Sequence, residues 1–154
     1  MIQREEVIRA ARRYVGTPFV MAGRSRRGID CVGLPLCIAR DLRVSRWRDL
    51  WQDVECHAYP TIREIGFLRG KLDRFVEHGF LRRIDKNDCA PGDMTLCFTG
   101  FGHDHHVAIL TSAGLIEARN VPEARFPRGR VVENAVTATK WRSVIQGYQF
   151  GEVV

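Results

Sequence analysis

YVGTPFVMAGRSRRGIDCVGLPLCIARDL, residues 14–42, sets a heavily punctuated loop directly against a helical pattern. Gly16, Pro18, Gly23, Ser25 and Gly28 interrupt residues 16–30 too often for a regular element, so this part reads as a turn-rich loop. After Asp30 the apolar residues Leu34, Ile38 and Leu42 recur every four positions, the mark of one helix face, which predicts a helix over 31–43 with Asp30 as its N-cap. Cys31 then falls in the first helical turn. Unbonded amides and the positive end of the helix dipole gather there, which favours thiolate over thiol and offers N–H donors to an attacked carbonyl. These are the two requirements of a thiol nucleophile with part of an oxyanion hole. Gly33 adds room for a substrate to approach, and Pro35 removes an amide that a regular helix would bond, so the first turn is expected to be irregular.

A nucleophile of this kind needs a base, and histidines stand at 103, 105 and 106 in the later segment HDHHVAIL. On a strand His103 and His105 share one face while His106 points to the other, so only one group can serve Cys31. Cys37, Cys56, Cys89 and Cys97 have no comparable surroundings and read as packing residues. A zinc set of Cys89, Cys97, His103 and His105 lacks the short Cys-x2–4-Cys and His-x3–5-His steps of structural zinc, and no metal or cofactor is expected.

The stretch 14–42 resembles the nucleophile motif of the NlpC/p60 family of cell-wall cysteine endopeptidases: a Gly-Thr-Pro-aromatic segment, a Gly-rich loop and Asp-Cys-x-Gly. APGDM at 90–94 resembles the family's turn into its first core strand, and HHVAIL the strand that carries the catalytic histidine. GRVVENAV and WRSVIQGYQF resemble the tail-associated branch found in bacteriophages. The resemblance implies a papain-like α+β fold, with N-terminal helices packed on an antiparallel sheet, in one domain over 1–154. It also implies hydrolysis of an amide in peptidoglycan stem peptides, at a γ-D-glutamyl bond. Cys31 matches the nucleophile and His106 the general base, with His105 as the fallback. The family's third polar residue, usually histidine, falls on Glu117 of the segment Leu115-Ile116-Glu117-Ala118, where a carboxylate can accept the imidazole Nδ1–H and orient the ring. Phe19 stands where the family usually has tyrosine and Met21 where an aromatic is common, which implies a weakened or differently tuned site. Phe19, Arg24, Asp30, Gly33 and His105 are the substrate-binding candidates. Two other functions fit the same residues: a structural tail component that has lost its chemistry, and a thiol acyltransferase acting on another amide or ester.

Composition suits a compact enzyme. The chain has 154 residues, 45% of them hydrophobic, enough for one domain with a core, and no apolar run long enough to span a membrane. The start, MIQREEVIRAARRYVG, has helical spacing at Val7, Ile8, Ala11 and Val15 rather than the pattern of a signal peptide. An odd cysteine count without framework spacing fits synthesis in a reducing cytoplasm, with assembly into a phage tail as the route to the cell wall. The net charge of +6 is almost all arginine and is spread along the chain, without the clustered basic face and stacking aromatics of a nucleic-acid binder. Arg24, Arg26 and Arg27 differ in leading up to Cys31, where guanidinium groups suit the carboxylates of an acidic stem peptide; a solvated loop is the alternative. The expected partners are the stem peptide and phage tail proteins, with no nucleic acid and no membrane insertion.

The remaining pattern predicts helices over 2–15 and 61–78, the latter with Ile65, Leu68, Leu72, Phe75 and Val76 inward, and a long connection over 44–60. Strands are expected at 94–99, 105–111, 114–120, 130–135 and 143–150, with 120–130 as a hairpin or lid.

Overall fold

A computed structural model describes residues 2–55, 67–98 and 105–151. The first helix, α1 (Arg4–Arg12), opens on a capping box in which the Gln3 amide donates to Glu6 Oε2 at 2.8 Å, and it ends in basic residues that suit the negative end of the dipole. Its buried stripe is Val7, Ala10 and Ala11, continued by Tyr14, whereas Val15 is exposed. The inward face is therefore rotated from the one predicted, because the small Ala10 allows close packing and the Tyr14 hydroxyl finds Asp41 Oδ2 at 2.5 Å. Asp41 ends α2 (Gly33–Asp41), which is buried on Leu34, Leu36, Cys37, Ile38 and Ala39 and so forms the centre of the helical layer.

Where a connection was expected, α3 (Trp47–Glu55) forms instead. Trp47 and Trp51 meet edge to face, Arg40 lies over Trp51, and Asp53 pairs with Lys71 and Arg74 of α4 (Phe67–Glu77). Leu68, Leu72 and Phe75 of α4 are buried as predicted; Ile65 and the expected helix start at 61–66 lie outside the described residues.

The sheet that these helices cover begins at β3 (Leu81–Ile84), after two short strands, β1 (Arg24–Ser25) and β2 (Gly28–Ile29), that pair within the loop leading to Cys31. It continues through β4 (Met94–Phe98), β5 (His105–Thr111), β6 (Gly114–Arg119), β7 (Arg130–Asn134) and β8 (Val144–Phe150), in the spatial order β3-β8-β4-β5-β6-β7 with every pair antiparallel. Five of the six strands fall where alternation placed them. Met94, Leu96, Val107, Ile109, Ile116, Ala118, Val131 and Tyr148 belong to the core shared with the helices. The residues between them point to the other face, where the short helix α5 (Ala138–Ser143) lies between β7 and β8. Residues 120–130 make a loop closed by mutual Glu123 and Phe126 backbone hydrogen bonds of 2.9 and 3.0 Å. The architecture is the expected α+β one, helices on an antiparallel sheet.

The APGDM turn clips the first helix to the sheet. Asp93 has no exposed surface and accepts from Arg4 Nε at 2.9 Å, Arg4 Nη2 at 3.2 Å and the Ala90 amide at 2.9 Å. Gly92, at φ +99°, lies so close that a Cβ would stand 2.4 Å from the Arg4 Cβ.

Candidate active site

The Gly-Thr-Pro-Phe segment is stitched between the sheet edge and the loop leading to Cys31. Gly16 and Phe19 donate to the Val131 and Gly129 carbonyls, each at 2.9 Å, and Val131 donates to Thr17 at 2.8 Å. On the other side Ile29 donates to the Pro18 carbonyl at 3.0 Å and Val20 to that of Ile29 at 3.1 Å. A loop tied on both sides hands the chain to Asp30 and Cys31 in a fixed direction. Asp30 is wholly buried. Its Oδ1 accepts from the Gly33 amide at 2.7 Å and from Arg24 Nη1 at 2.9 Å, and its Oδ2 accepts from the Ala22 amide at 2.8 Å. The carboxylate thus caps the turn that carries Cys31, and the Leu34 amide bonds to the Asp30 carbonyl at 3.2 Å. Regular helix starts only at Gly33, two residues after Cys31, in keeping with the amide that Pro35 lacks.

Three of the substrate-binding candidates have other work here. Asp30 has no surface to offer a substrate and is a positioning residue. Arg24 keeps only 10% of its side chain exposed and turns inward, donating to Asp30 and to the Gly23 carbonyl, because burial of the Asp30 charge requires a cation beside it. Gly33 makes room for the protein's own loop rather than for substrate: a Cβ would meet the Gly23 carbonyl oxygen at 2.4 Å and Ile29 Cγ1 at 2.9 Å. Phe19 is buried against the same loop, and Arg26 and Arg27 are exposed. The His105 side chain, His103 and Cys56 lie outside the described residues.

The second half of the site comes from the sheet. His106 pairs across from Cys97. Continuing the Ile109–Ile116 register sets Ala108 opposite Glu117, so His106 and Glu117 are diagonal neighbours on one face. His106 Nε2 lies 3.0 Å from Glu117 Oε2. The carboxylate meets Nε2 in place of the Nδ1–H expected for it, reaching the ring from the neighbouring strand β6. Burial alone would lower the imidazole pKa, but hydrogen bonds to Cys31 and Glu117 outweigh it and push His106 up to about 9. Burial would raise Glu117, yet His106 and Lys140 bring it down to about 2. Cys31, 5% exposed, His106 and Glu117 therefore form one chain of contacts.

At the other described cysteines burial outweighs whatever favours a thiolate. Burial pushes the Cys37 and Cys97 thiols up, and burial with nearby Asp93, Asp85 and Asp88 takes Cys89 to about 11. Among the described residues no group of three or more His, Cys, Asp and Glu side chains is placed to hold a metal ion.

No protein-family model matches the sequence, and no curated protein matches it. Solved structures do. The NlpC/p60 domain of the peptidoglycan hydrolase SagA superposes with a TM-score of 0.56 at 20% identity, over 95% of this chain and 97% of that one. The chain has the NlpC/p60 fold. An NlpC/p60 family protein from Bacillus cereus ATCC 10987 matches with a TM-score of 0.58 at 21% identity, over 99% of this chain. A lipoprotein-like protein of the same family from Staphylococcus aureus subsp. aureus Mu50 matches with a TM-score of 0.58 at 15% identity, over 97%. This chain spans 41% and 42% of the length of those two proteins.

Within this NlpC/p60 fold, Lys140 is the site neighbour that sequence reasoning missed. Its Nζ lies 3.0 Å from Glu117 Oε2, closer than Arg119 Nε, which is 3.7 Å from Oε1. The only signal in the sequence was its rarity, one of three lysines in an arginine-rich chain.

Proposed function

We propose that this protein is a cysteine peptidase that hydrolyses an amide bond in peptidoglycan stem peptides. The contact chain from Cys31 through His106 to Glu117 carries the proposal, and the fold shared with the domain of a peptidoglycan hydrolase supports the substrate class. The Cys31 sulfur attacks the amide carbonyl while its proton passes to His106 Nδ1. Backbone amides of the Cys31 turn, ahead of the Gly33 and Leu34 amides that bond to Asp30, are the proposed donors to the developing oxyanion, and Glu117 holds the imidazolium from Nε2. The C–N bond then breaks, and the leaving amine takes the proton from His106. The thioester that remains is attacked by a water whose proton His106 removes, which frees the acid and restores the thiol.

The γ-D-glutamyl bond and a phage tail setting complete the proposal, resting on the motif resemblance at 14–42 and at the closing segments. Purified peptidoglycan and soluble stem peptides, digested and read by mass spectrometry, test it. A defined stem fragment is expected from the wild type, and Cys31→Ala should reduce its rate by at least about 10³-fold with an unchanged melting curve. Equal cleavage by the alanine variant would remove the proposal. No product from either protein would favour a structural tail component.

A further inference from the structure

Glu117 binds two cations with one oxygen. Both His106 Nε2 and Lys140 Nζ stand 3.0 Å from Oε2, although the carboxylate is only 7% exposed. Lys140 comes from another element, and its main chain is fixed at both ends. Its amide donates to Thr137 Oγ1 at 3.1 Å and its carbonyl accepts from Ser143 Oγ at 2.6 Å. The short helix α5 therefore delivers an ammonium to the atom that orients the imidazole.

We propose that Lys140 is a positioning residue of this site, whose ammonium on the same Glu117 oxygen offsets part of the carboxylate charge that His106 feels. The inference rests on the thiol–imidazole reading above. A lone buried carboxylate beside His106 would lock the ring as imidazolium, which helps to form the thiolate but makes the ring a poor donor to the leaving amine. A cation on the same oxygen opposes that locking while keeping Glu117 ionised. Among the described residues, the charged and titratable groups around the ring are Cys31 from the turn before α2, Cys97 from β4, Glu117 and Arg119 from β6, and Lys140 from α5. Arg119, at 3.7 Å and 43% exposed, is the weaker counter-charge and lies on the other carboxylate oxygen.

The test needs no peptidoglycan. The rate of Cys31 alkylation by iodoacetamide is followed from pH 4 to 11 in the wild type, Lys140→Met and Lys140→Arg. The wild-type rate should rise twice, first as thiolate forms beside the imidazolium and again as the imidazolium loses its proton. Lys140→Met should move the upper step to higher pH by about one unit, while Lys140→Arg leaves it in place. His106 ring resonances titrated by NMR should shift in the same direction. An upper step that stays put in a folded Lys140→Met variant would overturn the proposal and leave the lysine a packing contact; should that variant not fold, Lys140→Gln carries the same test. A single-step wild-type profile at an ordinary thiol pKa would instead defeat the thiol–imidazole reading itself.

Discussion

The two halves of the site are built by different means. The nucleophile side, residues 16–33, is held by backbone hydrogen bonds on both flanks and by a fully buried carboxylate with Gly33, Arg24 and Ala22 as donors. The base side, His106, Glu117 and Lys140, is held by side-chain ion pairs from three elements, and the lysine is still 34% exposed. Backbone ties fix a position within the fold's own energetics. Side-chain charge pairs instead set a protonation balance, which substitution can retune without dismantling the fold.

The sharpest way to break this contrast is to remove Asp30. Asp30→Ala leaves the nearly buried Arg24 guanidinium without its carboxylate and the Gly33 amide without its acceptor, and should cost about 3–5 kcal/mol of stability, read from urea unfolding. Glu117→Gln should shift the balance toward chemistry: turnover falls roughly 10²-fold, while the urea midpoint at neutral pH falls by less than in Asp30→Ala, because the Lys140 ammonium left behind is 34% exposed and can be solvated. Equal stability losses in both variants would erase the distinction between the halves.

The pH dependence of stability sharpens the account of the base side. His106 is raised from 6.5 to about 9, so its contribution is complete below pH 6.5 and is lost as pH rises through about 9. Glu117 is lowered from 4.5 to about 2, so its contribution is complete above pH 4.5 and is lost as pH falls through about 2. Urea midpoints measured from pH 5 to 10 should decline on the alkaline side, and His106→Asn should flatten that decline. The smallest effect is expected at Phe19, where the tyrosine usual in the resembled motif should raise turnover by up to about fivefold, the worth of one added hydrogen bond. Unchanged or lower turnover would argue that Phe19 only packs.

The same contrast explains what the sequence disclosed. Alternation along 94–150 marks strands because each has one face in the core, and Leu34, Ile38 and Leu42 mark the nucleophile helix. The edge strand β3 escaped notice because it has four residues with Arg82 and Arg83 exposed, and it pairs on the sheet with β8 alone. Helix α3 lies within residues 44–60, which read as a connection because what holds the helix is tertiary: Trp47 meets Trp51 edge to face and Asp53 pairs with Lys71 and Arg74 of α4. The motif around Cys31 announces a site, but not the direction in which each neighbour points: Arg24 turns inward to Asp30, and Gly33 yields to the Gly23 carbonyl. Lys140 is 23 residues from Glu117, with no periodicity to join them, so only the folded sheet brings them together.

If Cys31 is the nucleophile it forms a covalent acyl intermediate, which is detected by quenching turnover of a stem peptide with acid and mapping the protein by mass spectrometry. A stem-derived acyl mass is expected on the peptide that contains Cys31, absent from Cys31→Ala and accumulating before release of the acid product. Stem-peptide cleavage that proceeds in Cys31→Ala with no adduct at position 31 would contradict it.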